Sequence, residues 1–178
     1  MNGAATEKAV RIRRYQPDDA NAVYDAVMES KEELSHWMSW CHDTYSRNDA
    51  VAWVESRLSA WETNQDWSFV VVNDEGKLLG ACGIHRIDRL NGVGELGYWV
   101  RTSATRNGVA TSATRQLCQW AFEENGLHRI EIVVSEENAA SLRVAAKVGA
   151  VREGILRERI LLHGRRHNGE LWAILKDT

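Results

Sequence analysis

The sequence predicts an α/β or α+β domain, in which a mixed sheet carries helices on its faces. The chain has 178 residues, 44% of them hydrophobic, which suits one domain with a sizeable core. Apolar residues alternate in some segments and recur every three or four residues in others. The segments run strand, helices, three strands, helix, strand, helix, two strands, which makes about seven strands. We expect residues 1–178 to form one domain, with residues 1–8 flexible.

The first third of the chain predicts one strand and two or three helices. Residues 10–15 alternate as a half-buried strand does, and Pro17 with Asp18 and Asp19 suits the start of a helix. Residues 30–45 are compatible with a short helix or with a loop rich in aromatics. Apolar residues at helical spacing then predict an amphipathic helix over about 51–61, with Ser46 or Asn48 as its cap.

The middle of the chain predicts an antiparallel meander over residues 66–101. Its strands are residues 67–72, 77–84 and 94–100, and turn-forming residues separate them at 73–76 and 91–92. The remainder predicts a helix from about Gly108 to Gly126, a buried strand at 128–135 and a helix at 138–148. Two strands, 151–162 and 170–175, close the chain around a polar turn at 163–169.

Composition disfavours several classes of function. The net charge of −3 and the pI near 6.1 argue against a general nucleic-acid binder. Neither a long apolar run nor an apolar N-terminus is present, so we expect no membrane partner and a cytoplasmic location. Three scattered cysteines form neither a zinc pattern nor a disulfide framework, so we expect no metal.

Residues 100–111 carry the clearest chemical signal. A predicted strand ends there, a polar loop follows, and a helix begins at about Gly108. The first turn of a helix offers unpaired N–H groups and a positive dipole end, which suit a phosphate. Gly108 and Ala110 would allow close approach, and Arg106 adds a cation.

This loop resembles the pyrophosphate loop of the GCN5-related N-acetyltransferase (GNAT) superfamily, whose pattern is Gln/Arg-x-x-Gly-x-Gly/Ala. The matching stretch is residues 105–110, in which Thr105 stands where Gln or Arg is usual and Arg106 is adjacent. Residues 10–20, 95–100, 137–141, 147–150 and 153–154 extend the similarity over nearly the whole chain. The RimJ/RimL group, which acetylates protein N-termini, is the most similar subgroup on residues 137–141, 147–150 and 153–154 together with the stretch 36–40.

The resemblance implies a sheet that splays between its fourth and fifth strands, with acetyl-CoA in the gap as the cosubstrate. It implies that the backbone near Trp99 and Val100 pairs with the pantetheine arm. Asn138 and Ser141 share a helix face, where Asn138 could cap the helix, contact the cofactor or do both. The resemblance also implies which residues bind the pyrophosphate, and they lie in the loop and first helical turn after the strand that ends at Val100: Arg106, Asn107, Gly108, Val109, Ala110 and Thr111.

For catalysis the resemblance implies direct attack of a primary amine, without a covalent enzyme intermediate. Ser141 would protonate the departing thiolate, and Glu95 would take the proton of the amine, directly or through water. Glu158 is a second candidate base, and Glu95 could instead be a surface ion-pair residue. We interpret His85 and His128 as ordinary residues at strand ends.

Tryptophans are the main candidates for the acceptor site. Trp37, Trp40 and Trp67 could wall an acceptor channel next to Glu95. Alternatively, Trp37 and Trp40 pack a helix pair, and Trp53 and Trp61 belong to a helix core.

Three functions therefore stand open. They are acetylation of a protein or peptide N-terminus, acetylation of a small amine or aminoacyl compound, and binding of acyl-CoA without turnover. The RimJ/RimL resemblance also makes a homodimer plausible.

Overall fold

A computed structural model describes residues 10–176, so the prediction made for residues 1–8 lies outside the described part of the chain. Its centre is a seven-stranded sheet in the order β1-β2-β3-β4-β5-β7-β6. Neighbouring strands are antiparallel except for the parallel pair β4 and β5. The strands are β1 Val10–Arg14, β2 Trp67–Asn73, β3 Leu78–Asp88, β4 Val93–Val100, β5 Arg129–Ser135, β6 Val151–Leu162 and β7 Arg165–Leu175.

In the described residues, five α-helices cover the two faces of this sheet. They are α1 Asp19–Glu29, α2 Lys31–Trp37, α3 Arg47–Glu62, α4 Val109–Glu124 and α5 Ala139–Lys147. Within residues 10–176, no helix is long and apolar enough to cross a bilayer. The order of elements and the mixed sheet confirm the predicted fold class.

The structure decides two points that the sequence left open. Residues 31–37 are helical and the aromatic segment after them is a loop. Ser46, rather than Asn48, caps α3: its side chain and Asp49 form a reciprocal capping box, with the Ser46 amide donating to Oδ2 of Asp49 at 2.7 Å.

The predicted polar turn at residues 163–169 is wrong in its extent. The hairpin between β6 and β7 turns on His163 and Gly164 alone, and Leu162 pairs with Arg165 across it. Both turn residues have positive φ, 50° and 72°, as tight hairpins require. Polar residues 165–169 misled the prediction, because an exposed hairpin end pairs through its backbone whatever its side chains.

Side chains alternate across the sheet and form one core on each face. The α4-side core contains Ile84, Leu96, Leu117 and Ile130, all at most 3% exposed. The α1-side core contains Val23, Val27, Val54, Val70 and Trp99. Leu96 and Trp99 of β4 thus point to opposite faces, as the period of a strand dictates.

The sheet opens on one side of β4. Val93, Gly94 and Glu95 pair with residues 129–131 of β5, and no pairing between these strands continues beyond Glu95 in the described chain. β5 itself runs on to Ser135, paired only with β7. The edge of β4 from Leu96 to Val100 therefore borders a cleft, which confirms the predicted splay between strands four and five.

Candidate active site

The loop after β4 ends in a left-handed turn at the start of α4. Gly108 is the N-cap of α4 with φ 74° and ψ 0°, a conformation that glycine adopts without steric cost. Arg106 is also left-handed, with φ 63°, and residues 105–108 are exposed. The backbone amides of residues 106–111 form no hydrogen bond to the described part of the chain. Six consecutive donors are thus free for a ligand at the positive end of α4.

Residues at the α1–α2 junction hold the start of this loop. The guanidinium of Arg101 contacts Glu29, with Nε 3.0 Å from Oε2, and the amide of Ser103 donates to Oε1 of Glu29 at 3.0 Å. The amide of Thr102 donates to Oγ of the fully buried Ser30 at 2.9 Å. The bonds from Arg101 first, and then those from Ser103, lower the pKa of Glu29 to about 2. Residues 101–103, between β4 and the exposed part of the loop, are therefore fixed to the α1–α2 junction.

The start of α5 lies across the cleft and contacts β4. Asn138 caps α5, since its Oδ1 accepts a hydrogen bond from the amide of Ser141 at 3.0 Å. The hydroxyl of Ser141 lies 2.6 Å from that of Tyr98, so the two groups share a hydrogen bond. Burial raises the pKa of Tyr98 to about 12, which keeps its hydroxyl protonated at neutral pH.

A cavity of about 430 Å³ lies on the α1 side of the sheet, beside the same strand. Its floor is a row of small residues in register across three strands, Ser68 of β2, Gly83 of β3 and Gly97 of β4. Because these side chains are short or absent, the sheet surface is recessed at this point. The cavity also contacts Tyr98 and Trp99, so it reaches the strand that borders the cleft.

Aromatic rings form the walls of this pocket. Trp40 lies near Trp53, Trp99 and Tyr45, with ring centroids 6.5, 6.1 and 6.0 Å away. Trp40 lines the pocket as one of the predicted acceptor residues, whereas Trp37 is not part of its lining and packs edge-on against His36.

Two tryptophans differ from their predicted surroundings. Trp53, interpreted as helix core, lines the pocket and donates from Nε1 to the hydroxyl of Tyr15 at 3.2 Å. Trp67 lies on the opposite face of the sheet, 2% exposed, with its ring 5.2 Å from Trp120. The prediction that Trp67 could wall the acceptor channel is therefore wrong, because the alternation of β2 turns it into the α4-side core.

Ionisable groups lie at the rim and the floor of the pocket. His85 leans over the floor, with Nδ1 3.8 Å from Oδ2 of Asp66. Burial lowers the pKa of His85, although Asp66 partly offsets this effect. Asp49 lines the rim, and hydrogen bonds from Ser46 lower the pKa of its carboxyl group. At neutral pH the pocket thus combines a neutral imidazole with a carboxylate.

Glu95, the predicted base, belongs to a cluster of opposite charges at one end of the cleft. Nη1 of Arg86 lies 2.8 and 2.7 Å from its two carboxylate oxygens, and Nη2 of Arg159 lies 2.7 Å from Oε2. Glu158, the second candidate, is exposed in a bulge of β6, where its amide donates to Asn168 at 3.1 Å. Neither glutamate lines the pocket.

Residues 9–151 match the Acetyltransferase (GNAT) domain family. The chain belongs to the GNAT acetyltransferase family. The match covers the splayed strands, the loop before α4 and the helix α5, and it confirms that the chain is an N-acetyltransferase by family. Within residues 10–176, no group of three or more His, Cys, Asp or Glu side chains could hold a metal ion.

Relatives of this GNAT chain include proteins named as modifiers of ribosomal proteins. YjcK of Bacillus subtilis (strain 168), named a probable N-acetyltransferase, is 30% identical, with 94% of each chain covered. The ribosomal-protein-serine acetyltransferase of Escherichia coli (strain K12) is 24% identical over 96% of this chain and 95% of that protein. RimL, a ribosomal L7/L12 alpha-N-protein acetyltransferase solved with coenzyme A, is 18% identical, superposes with a TM-score of 0.87 over 93% of each chain and shares the fold.

Three residues of this candidate site were missed by the sequence interpretation. Alternation along β3 puts His85 on the same face as Gly83, but nothing in the sequence marks that face as a pocket floor. Trp53 sits at helical spacing and carried no mark that distinguishes a pocket wall from a core residue. Tyr98 contacts Ser141, which lies 43 residues further along the chain, and no local sequence pattern indicates that contact.

Proposed function

We propose that this chain transfers the acetyl group of acetyl-CoA to the α-amino group of a protein or peptide N-terminus. The observation that carries the proposal is that the cleft and the aromatic pocket both border β4. The cleft opens along the edge of β4 from Leu96, and the aromatic pocket reaches Gly97, Tyr98 and Trp99 from the α1 face. An acetyl donor in the cleft and an amine in the pocket would meet at this strand.

The residues bordering the cleft fit acetyl-CoA. The free amides of residues 106–111 and the positive end of α4 suit a pyrophosphate, and Arg106 is exposed beside them. Trp99 and Val100 turn their side chains into opposite cores. Because the backbone N–H and C=O groups of successive strand residues point to opposite edges, one of the two residues presents these groups to the gap and the other to β3. Bound acetyl-CoA would supply the thioester whose acetyl group is transferred.

Ser141 and Tyr98 would act together on the thiol side of the reaction. The hydroxyl of Ser141 is a weak acid by itself, so its role depends on position. The Tyr98 hydroxyl, 2.6 Å away and protonated at neutral pH, can orient Ser141 and replenish its proton. We propose that this pair delivers a proton to the departing thiolate. Asn138 would fix the Ser141 backbone through its cap.

Direct attack of the amine fits the chemistry of the pocket. Cys82 lines the pocket and could in principle carry an acyl group, but burial raises the pKa of its thiol. Cys118 is also buried, and burial raises its pKa to about 12. Because only the thiolate is a strong nucleophile, neither cysteine suits a covalent intermediate.

The pocket favours an amine that carries an apolar or aromatic group. Trp40, Trp53 and Trp99 offer broad apolar surface, and the Asp49 carboxylate would attract the positive charge of an incoming amine. A peptide N-terminus provides both features in its amino group and first side chain. Relatives named as acetyltransferases of ribosomal proteins support this acceptor, and Trp37 would contact the peptide only beyond the pocket.

The test is a thiol-release assay with acetyl-CoA against two acceptor panels. One panel holds short peptides with varied N-terminal residues, and the other holds polyamines and aminoacyl compounds. Release of coenzyme A with peptides, and mass spectrometry locating the acetyl group on the α-amine, are expected. Release only with small amines would replace the proposed acceptor. Binding of acetyl-CoA without release on either panel would favour an acyl-CoA-binding module.

The same proposal includes location and assembly. Acetyl-CoA and nascent or ribosomal proteins meet in the cytoplasm, which is where we propose the enzyme acts. We also propose a homodimer, on the resemblance to the RimJ/RimL group, and sedimentation equilibrium tests it directly. If the protein is a monomer at micromolar concentration, the proposed dimer is wrong and the proposed reaction is unaffected.

A further inference from the structure

His85 occupies the space that two glycines leave on the pocket floor. Its side chain projects from β3 on the same face as Gly83, and β4 presents Gly97 beside it. A Cβ on Gly83 would lie 3.2 Å from Cε1 of the ring, and a Cβ on Gly97 would lie 3.8 Å from Nε2. Nε2 therefore faces β4, the strand where the pocket and the cleft meet.

The other ring nitrogen faces a carboxylate that is itself held in place. Nδ1 of His85 lies 3.8 Å from Oδ2 of Asp66, and Nη1 of Arg57 lies 2.6 Å from the same oxygen. Arg57 and Asp66 are 15% and 18% exposed, so their pair is shielded from solvent. Asp66 before β2, Arg57 of α3 and Glu95 of β4 are the charged groups around the imidazole. A positive imidazolium would be stabilised by Asp66.

Glu95 is less suited to collect a proton. Two guanidinium groups, those of Arg86 and Arg159, engage its carboxylate at 2.7 Å. Both oxygens of the Glu95 carboxylate are therefore already engaged in ion pairs. Glu95 also lies outside the pocket lining, whereas His85 belongs to it.

We propose that His85 is the general base that deprotonates the acceptor amine, with Asp66 as its positioning residue. The inference rests on the proposed function only in requiring an amine acceptor. The incoming ammonium ion gives one proton to Nε2 of His85. The lone pair so freed attacks the acetyl carbon, and the N–C bond forms as the C–S bond breaks. The Ser141–Tyr98 pair gives a proton to the departing thiolate, which leaves as a thiol, and the second proton lost by the nitrogen replaces the one that the pair has given up. The His85 proton then passes to solvent.

The electrostatics of the site support this role. Burial lowers the pKa of His85, and the attraction of Asp66 and Glu95 offsets it only partly. The imidazole is therefore neutral at pH 7 and able to accept a proton. A base of this kind contributes about 10²- to 10⁴-fold to a rate.

The kinetic test compares His85→Gln, Glu95→Gln and the exposed His128→Gln as a matched control, all with one acceptor that the wild type acetylates. We expect His85→Gln to lower kcat by at least about 100-fold and to abolish the fall of kcat/KM at acid pH. Calorimetry should give an unchanged Kd for coenzyme A. Loss of the acid limb in Glu95→Gln, with its retention in His85→Gln, would overturn the proposal in favour of Glu95.

A second readout does not depend on any acceptor. An NMR titration of the His85 ring in the free protein should give a midpoint below the ordinary 6.5, and a lower one in Asp66→Asn. A midpoint at or above 6.5, or one unmoved by Asp66→Asn, would overturn the proposed arrangement. If neither acceptor panel is acetylated, the proposed function fails, while this titration still decides whether His85 and Asp66 are coupled.

Discussion

The hydroxyl of Tyr98 on β4 lies 2.6 Å from the hydroxyl of Ser141 on α5, across the gap at which the sheet splays. The hydroxyl of Tyr98 is also 3.2 Å from the carbonyl oxygen of Ser141. The two edges of the cleft are thus joined by one short polar contact at the level of the acceptor pocket. On the proposed function, this contact sits at the thiol end of the reaction.

We predict that Ser141→Ala and Tyr98→Phe lower kcat by similar factors, on the order of 10-fold to 100-fold. The reason is that each variant removes one half of the same hydrogen bond. In the double variant the loss should be no larger than in either single variant, because residues that act as a unit are not additive. Steady-state kinetics of all four proteins measure this coupling.

Binding of coenzyme A separates catalysis from simple loss of structure. The Kd for coenzyme A from calorimetry should change by less than about 3-fold in these variants, because the contact lies outside the phosphate loop. Fully additive losses in kcat would contradict a shared role for the two hydroxyls. Equal losses in kcat and in binding would reduce Ser141 to a binding residue.

A second prediction concerns the left-handed turn before α4. Gly108→Trp should abolish binding of coenzyme A, because an indole at φ 74° would stand over the free amides of residues 106–111. The left-handed conformation also makes any larger residue unfavourable, by about 1–2 kcal/mol of unfolding free energy. Calorimetry measures the binding and urea denaturation measures the stability.

Gly126 provides the matched control at the other end of α4. It has φ 70° and no atom within 4 Å of where a Cβ would lie, so Gly126→Trp introduces the same backbone strain in open space. We expect a similar loss of stability with an unchanged Kd for coenzyme A. Retained binding in Gly108→Trp would move the pyrophosphate away from this loop.

Much of this architecture could be predicted because its signals are local. Period-two alternation located the strands, helical spacing located α3 and α4, and Gly108 marked the start of α4. The hairpin of β6 and β7 was misjudged since its polar end residues, such as Arg166, resemble a loop in composition while pairing as a strand. An apolar composition marks a strand only where its side chains are buried, and the side chains at this hairpin end are largely exposed.

The pocket could not be predicted because it depends on register between distant strands. Ser68, Gly83 and Gly97 are unremarkable one by one, and only their alignment across β2, β3 and β4 recesses the floor. The contact of Tyr98 with Ser141 likewise requires the position of α5 relative to β4. Both relationships are tertiary, so neither has a signature in a window of sequence.

A third prediction concerns the clamp at the α1–α2 junction. Glu29→Gln should weaken the contacts that hold Arg101 and Ser103, and raise KM for acetyl-CoA by about 3- to 10-fold through a less ordered loop. The unfolding free energy at pH 7 should fall by about 1–2 kcal/mol, a figure reduced for solvent screening. Kinetics and urea denaturation measure the two effects.

The pH dependence of stability tests whether the ionised Glu29 carboxylate is the source of this stabilisation. Its pKa is lowered from 4.5 to about 2 in the folded chain, so its stabilising contribution is complete above 4.5 and is lost as pH falls toward 2. The stability difference between wild type and Glu29→Gln should therefore shrink across that window. Glu32→Gln, an exposed glutamate of α2, is the control and should leave stability and KM unchanged. A constant difference from pH 7 to pH 2 would contradict the mechanism.

The last prediction separates the two roles of Asn138. Asn138→Ala removes the oxygen that accepts from the Ser141 amide at 3.0 Å, and should cost about 1 kcal/mol of unfolding free energy. Asn138→Asp keeps a capping oxygen and should retain the stability to within a few tenths of a kcal/mol. Its side chain lacks the amide donor, however, and adds a negative charge beside the cleft. If Asn138 also contacts the cofactor, Asn138→Asp will bind coenzyme A more weakly while remaining as stable as the wild type. If capping is its only role, binding will follow stability in both variants, and Asn138→Asp will match the wild type in the two measurements.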